Sequence, residues 1–108
     1  MSEVELRAGS GQGHFSLNGS LSADTVPALW EEAGGAFRGA RELDIDLSAV
    51  KRADSAGLAL LVEWTRQARE NGQRIRFLNL PEQLLAIARV SGLDTMLPFS
   101  PGERGMKP

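Results

Sequence analysis

Apolar and polar residues alternate in four short stretches of the chain, and this period of two predicts β-strands. The alternation is weak at Val4 and Leu6 and clearer at Phe15 and Leu17. The loop 9–13 between these stretches contains Gly, Ser and Gln, a composition typical of a hairpin connection. The two later strands are predicted at 43–47 and 75–80.

Three other segments place apolar residues at intervals of three and four, which predicts helices with one buried face. The first helix is predicted at 22–38, with Asp24 or Thr25 as its N-cap and Pro27 in its first turn. The other two helices are predicted from 54 to about 71 and from 81 to 91.

The order of these elements predicts the fold class. Strands that alternate with helices favour an α/β domain, here with a mostly parallel sheet of four to five strands, an N-terminal hairpin and helices packed on the sheet. A chain of 108 residues has the length of one domain. We expect that domain at 1–99, followed by a disordered tail at 100–108 that is rich in Gly, Pro and charge.

Composition narrows the possible functions. The net charge of −2 argues against a nucleic-acid-binding or lipid-coating protein, and the absence of cysteine excludes disulfides and thiolate metal sites. His14 is the only histidine, so no histidine-based metal site or cofactor is expected. The sequence shows no signal peptide and no apolar run of about 20 residues that would insert into a membrane, which predicts a cytoplasmic protein.

The segment Asp54-Ser55-Ala56-Gly57 is the most informative part of the chain, because it joins a strand to the start of a long helix. A helix start offers N–H groups and a partial positive charge, which can be satisfied by a capping side chain, a phosphoryl group or an acceptor from a partner. Asp54 or Ser55 is a suitable N-cap, and Gly57 would allow another backbone to approach. The pattern alone leaves these alternatives open.

The same segment, in its strand–loop–helix context, resembles the signature of the STAS family, the domain of anti-anti-sigma factors and of sulfate-transporter tails. The resemblance covers about 6–99 and implies a STAS-like fold with Ser55 at the regulatory position. Ala56 replaces the second hydroxyl residue of the family loop, and Ser20 and Ser22 stand where anti-anti-sigma factors commonly carry acidic residues.

Within that family, the run Leu29-Trp30-Glu31-Glu32 and the helix start through Leu61 are similar to the STAS subunits of ABC-type phospholipid transporters that maintain outer-membrane lipid asymmetry in Gram-negative bacteria. The likeness implies a non-enzymatic cytoplasmic subunit that binds and stabilises or regulates the transporter ATPase within a larger inner-membrane complex. The alternative implied by the family is an anti-anti-sigma factor controlled by phosphorylation of Ser55.

Two tryptophans extend the candidate partner-binding surface. One stripe of the long helix lies beside the Ser55 loop and contains Ala56, Leu60 and Trp64. Trp30 belongs to the preceding helix. Trp is enriched in interface hot spots, but the same spacing also fits core packing, so both interpretations remain open at Trp64 and Trp30. Because Leu29 and Trp30 are adjacent on a helix, we expect one of them near the surface.

An enzyme that uses Asp44, Asp46 or Ser55 is the third alternative. The sequence contains no partner acid for Asp44 or Asp46, and it contains no nucleotide-binding motif and no metal-ligand spacing. We therefore expect neither catalysis nor a bound metal.

Overall fold

The protein is described here by a computed structural model, which defines the backbone of residues 4–100 and the side chains of residues 4–98. The elements, in chain order, are β1 (Val4–Ala8), β2 (His14–Leu21), α1 (Val26–Ala36), β3 (Glu42–Ala53), α2 (Ser55–Glu70), β4 (Arg74–Leu78), α3 (Glu82–Val90) and β5 (Phe99–Ser100). The predicted α/β class is confirmed.

The strands form one sheet of five strands in the order β1-β2-β3-β4-β5. β1 and β2 are an antiparallel hairpin, while β2, β3, β4 and β5 run parallel to their neighbours. The predicted mostly parallel sheet with an N-terminal hairpin is therefore confirmed. Leu21, at the end of β2, lies opposite Ala53, at the end of β3, so the loops that lead into α1 and α2 leave the same edge of the sheet.

One face of the sheet is apolar and carries the helices. Leu43, Ile45 and Leu47 are almost fully buried, and they belong to the same core cluster as Leu29 of α1 and Leu61 of α2. The alternation of β3 explains this arrangement, because every second side chain of a strand points to the same face.

The opposite face of the sheet is polar. Asp44 pairs with Arg76 across β3 and β4, and the side chain of Asp46 accepts a hydrogen bond from Asn79. The alternation along β3 therefore separates a helix-covered face from a charged one.

The boundaries differ from the prediction most in α1 and β3, and β4 ends at Leu78 rather than at 80. α1 begins at Val26 rather than at 22, because the side chain of Thr25 closes a turn by donating to the Ser20 carbonyl and accepting from the Ser22 amide. β3 continues past 47 to Ala53 through two irregularities in its register with β2, which interrupt the alternation that defined the predicted strand. The expected tail at 100–108 begins one residue too early, because the backbone of Ser100, in β5, pairs with Leu78, and residues 101–108 lie outside the described residues.

Candidate functional site

The start of α2 is organised by Asp54. Its backbone is extended, and its carboxylate accepts hydrogen bonds from the amides of Ala56 at 2.9 Å and Gly57 at 3.4 Å. Asp54 is therefore the N-cap, and of the two residues considered for that role the structure selects the acid. Two amides that an external anion would otherwise use are already satisfied by this side chain.

Ser55 is the first residue of α2 and is exposed. Within residues 4–100 its hydroxyl makes no hydrogen bond, since the cap is supplied by Asp54. The hydroxyl therefore projects from the edge of the sheet and is free to meet another molecule. Ala56, the next residue, is half-buried beneath it.

Two neighbouring elements hold the Ser55 loop in place. The amide of Asp54 donates to the carbonyl of Leu21 at 3.1 Å, which ties the loop to the end of β2. The side-chain carbonyl of Gln83 in α3 accepts from the amide of Ala53 at 3.0 Å. Sequence reasoning missed Gln83, because its contact joins positions thirty residues apart and no local pattern indicates it.

Gly57 has a structural reason to be glycine. A β-carbon at this position would lie 2.8 Å from the β-carbon of Leu21 and 2.9 Å from its carbonyl oxygen. Gly57 was expected to let another backbone approach closely. The backbone that approaches Gly57 is the chain's own, at Leu21 where β2 ends. Gly57 is buried, so a partner does not reach it directly.

Trp30 is the exposed aromatic residue of this region. Leu29 is fully buried while Trp30 is 37% exposed, as expected for adjacent positions of a helix. Gly34 of α1 and Arg38, two residues after its end, line a depression together with residues of the second half of α2. Trp30 precedes Gly34 by four residues, so it lies on the same α2-facing flank, closer to the helix start and to the Ser55 loop.

Leu60 and Trp64 correct the predicted surface. They are 3% and 2% exposed, respectively, and so belong to the core. The Trp64 ring packs edge-on against Phe37, the C-cap of α1, with ring centroids 5.1 Å apart, and Phe37 contacts Phe15 of β2 at the same separation. The stripe through Leu60 and Trp64 faces α1 rather than solvent, so these side chains support the site from beneath.

The carboxylates of β3 do not form a catalytic pair. Asp44 receives two hydrogen bonds of 3.0 Å from the Arg76 guanidinium, which commits both of its oxygens to an ion pair. Partial burial raises the pKa of Asp46, but hydrogen bonds from Asn79 and Ser48 outweigh that effect and leave the pKa below its ordinary value of 3.8. A carboxylate that remains ionised in this way is unsuited to act as a general acid near neutral pH.

Two further features concern metals and membranes. Among residues 4–100 there is no group of three or more His, Cys, Asp or Glu side chains that could hold a metal ion. Over the same part of the chain, each helix is too short or too polar to cross a bilayer.

Comparison with known proteins agrees with this geometry. The family model described as "Mlab, STAS domain" matches residues 4–98. The intermembrane phospholipid transport system binding protein MlaB of Haemophilus influenzae is 34% identical over 83 residues, covering 72% of this chain and 78% of that protein. The protein of the same name from Escherichia coli is 32% identical over 79 residues, covering 73% and 79%.

Solved structures show the same fold at lower identity. An anti-sigma factor antagonist from Mycobacterium paratuberculosis superposes with a TM-score of 0.74 and 24% identity, covering 91% of this chain and 86% of that one. The anti-sigma factor antagonist SpoIIAA in its unphosphorylated form gives a TM-score of 0.68 and 18% identity, covering 97% and 99%.

The family model over residues 4–98 shows the class, and the chain is a STAS domain, whose fold the solved structures share. Within that class it belongs to the MlaB family, whose model spans nearly all of the residues that the structure describes.

Proposed function

We propose that this protein is a non-enzymatic STAS subunit of an ABC-type phospholipid transporter, and that it binds and stabilises or regulates the cytoplasmic ATPase of that transporter. The observation that carries the proposal is the family match over 4–98, together with the two MlaB relatives at 34% and 32% identity. Both relatives are named as binding proteins of an intermembrane phospholipid transport system.

The proposed docking surface consists of Ser55 and Trp30, supported by Asp54 and Ala56. The exposed hydroxyl of Ser55 offers a directional polar contact, and the 37% exposed ring of Trp30 offers an apolar anchor on the flank that faces α2. An anchor of this type, with polar contacts around it, is typical of interface hot spots. Leu60 and Trp64 act indirectly, because they fix the positions of α1 and α2.

The site supports binding better than catalysis. Asp54 is occupied as a helix cap and Asp44 by an ion pair, so the serine hydroxyl has neither of these carboxylates available to activate it. Nucleophilic catalysis needs such a base within hydrogen-bond reach. We further propose that the protein lies in the cytoplasm and reaches the inner membrane through its partner.

The test is co-purification of the tagged ATPase with variants of this chain. Trp30→Ala should weaken binding by about 30-fold, as loss of a hot-spot residue worth about 2 kcal/mol would require. Met96→Ala is the matched control, because Met96 is 58% exposed but belongs to the loop after α3. Ser55→Glu should also weaken binding, since it adds bulk and charge at the centre of the surface, whereas Ser55→Ala should weaken it less.

Normal binding by folded Trp30→Ala and Ser55→Glu variants would refute the docking surface. No binding by the unmodified chain to the ATPase would refute the function itself. Melting curves of each variant separate loss of binding from loss of folding.

The alternative function, an anti-anti-sigma factor switched by phosphorylation of Ser55, is favoured by the exposure of that hydroxyl. Phosphorylation would add close to two negative charges next to the Asp54 carboxylate, which already occupies the amides of Ala56 and Gly57. The phosphate would thus meet repulsion where helix amides usually stabilise it. Mass spectrometry of the protein isolated from its own cells distinguishes the two functions, because phosphorylated Ser55 supports only this alternative.

A further inference from the structure

A depression between α1 and α2 lies at the end of the domain opposite the Ser55 loop. The depression has a volume of about 680 Å³ and lies where both helices end and β3 and β4 begin. Its walls include Arg38, Arg41, Gln67 and Asn71, and Trp64 lies at its base. This volume falls within the range of about 300–1,000 Å³ that is usual for small-molecule sites.

The walls of the depression are held by hydrogen bonds to backbone atoms. The side-chain amide of Gln73 donates to the carbonyls of Phe37 at 2.9 Å and Ala40 at 2.8 Å. The Arg74 amide donates to the Arg41 carbonyl at 2.9 Å. These contacts fix the loop that carries both wall arginines, so the depression exists before any ligand arrives.

Gly34 keeps the depression open. A β-carbon at Gly34 would meet nothing within 4 Å, so the fold of this chain does not require glycine there. A glycine in a helix interior costs about 1 kcal/mol relative to alanine. A larger side chain at this position would project toward the depression, whereas Gly35, the next residue, does not line it.

Arg38 and Arg41 are both exposed, and within residues 4–100 neither lies within ion-pair distance of a carboxylate. By contrast, Arg74 and Arg76, which follow on the neighbouring strand, are paired with Glu42 and Asp44. Unpaired guanidinium groups bind phosphate and carboxylate through two parallel hydrogen bonds, and the amides of Gln67 and Asn71 add neutral donors.

We propose that this depression binds a small polyanion that carries phosphate or carboxylate groups, with Arg38 and Arg41 as its charged ligands. The ends of α1 and α2 contribute partial negative charge there, so the guanidinium groups rather than the helix ends must hold the anion. The proposal is independent of the docking surface, because neither Trp30 nor Ser55 lines the depression.

The experiment uses inorganic pyrophosphate and citrate as separate probes, at low ionic strength where screening is weak. Binding is followed by calorimetry and by the fluorescence of Trp64 in a Trp30→Phe background, where Trp64 is the only tryptophan. At least one probe should bind saturably. Preference for pyrophosphate assigns a phosphate ligand, and preference for citrate assigns a carboxylate ligand.

Single substitutions test which residues form the anion site. Arg38→Ala and Arg41→Ala should each weaken binding about tenfold, while Arg89→Ala, the loss of an exposed arginine on α3, should leave it unchanged. Gly34→Leu should abolish binding and raise the melting temperature, whereas Gly35→Leu should retain binding. The proposal is overturned if neither probe saturates, if Arg89→Ala weakens binding equally, or if the arginine variants change only the melting temperature.

Discussion

The contact between Gly57 and Leu21 allows a sharp test of how α2 is placed on the sheet. In Gly57→Ala the new methyl carbon would begin 2.8 Å from the Leu21 β-carbon and 2.9 Å from its carbonyl oxygen, so β2 and α2 must separate. Overpacking of this kind costs about 1–3 kcal/mol, and the higher helix propensity of alanine offsets about 1 kcal/mol. Because a backbone oxygen cannot rotate away, we expect an overpacking cost of about 2–3 kcal/mol, in the upper part of that range, and therefore a net loss of about 1–2 kcal/mol in the free energy of unfolding.

Gly34→Ala is the matched control for this substitution. It introduces the same methyl group into a helix, and this group meets nothing within 4 Å. The free energy of unfolding should therefore rise by about 1 kcal/mol from helix propensity alone. The two variants should then differ by about 2–3 kcal/mol, which corresponds to a difference of about 10 °C or more in melting temperature for a domain of this size.

The assay is urea denaturation followed by far-ultraviolet circular dichroism, with thermal melts as a second measure. An unchanged slope of the free energy of unfolding against urea concentration would show that the substitutions alter stability and not the surface exposed on unfolding. Equal stability of Gly57→Ala and Gly34→Ala would contradict the close approach of α2 to Leu21.

Three other predictions concern the cap, the core and the polar sheet face. Asp54→Ala should lower the free energy of unfolding by about 1 kcal/mol in urea denaturation, and Ser55→Ala by less than about 0.5 kcal/mol, since only Asp54 caps α2. Trp64→Ala should lower the free energy of unfolding by about 3–5 kcal/mol and remove near-ultraviolet dichroism. A stable, well-ordered variant would contradict the burial of Trp64. The pKa of Asp46 is lowered in the folded state, so its stabilising contribution is present above pH 3.8 and is lost as the pH falls through the folded value. In Asn79→Ala, carbon-detected NMR titration should find a higher pKa for Asp46, and an unchanged pKa would exclude this hydrogen bond as its cause.

Local patterns predicted the elements that depend on local interactions. The limits of α2 are observed close to their predicted positions, because Asp54 supplies the cap and Asn71 the C-terminal stop within the sequence itself. The hairpin and the parallel strands followed from alternation and from the order of elements. The late start of α1 was missed, because Thr25 closes a turn with Ser20 and Ser22 that helical spacing does not reveal.

The candidate site was predicted in part. The position of Ser55 at an exposed helix start follows from the strand–loop–helix pattern, and the structure agrees. Whether Leu60 and Trp64 face solvent could not be predicted, because helical spacing defines a stripe but not what covers it. α2 is covered by the sheet, by α1 and by α3, so a second stripe that resembled a surface is buried.

Hydrogen exchange measured on the complex tests whether this chain binds the ATPase through Trp30 and Ser55. The protein is compared alone and bound to the purified ATPase, and the exchange of backbone amides is followed by mass spectrometry. Protection should be concentrated in the first turns of α1 and α2, around Trp30 and Ser55, with α3 and the loop to Met96 unchanged. Protection confined to α3 and that loop, or no complex at all, would contradict this mode of binding.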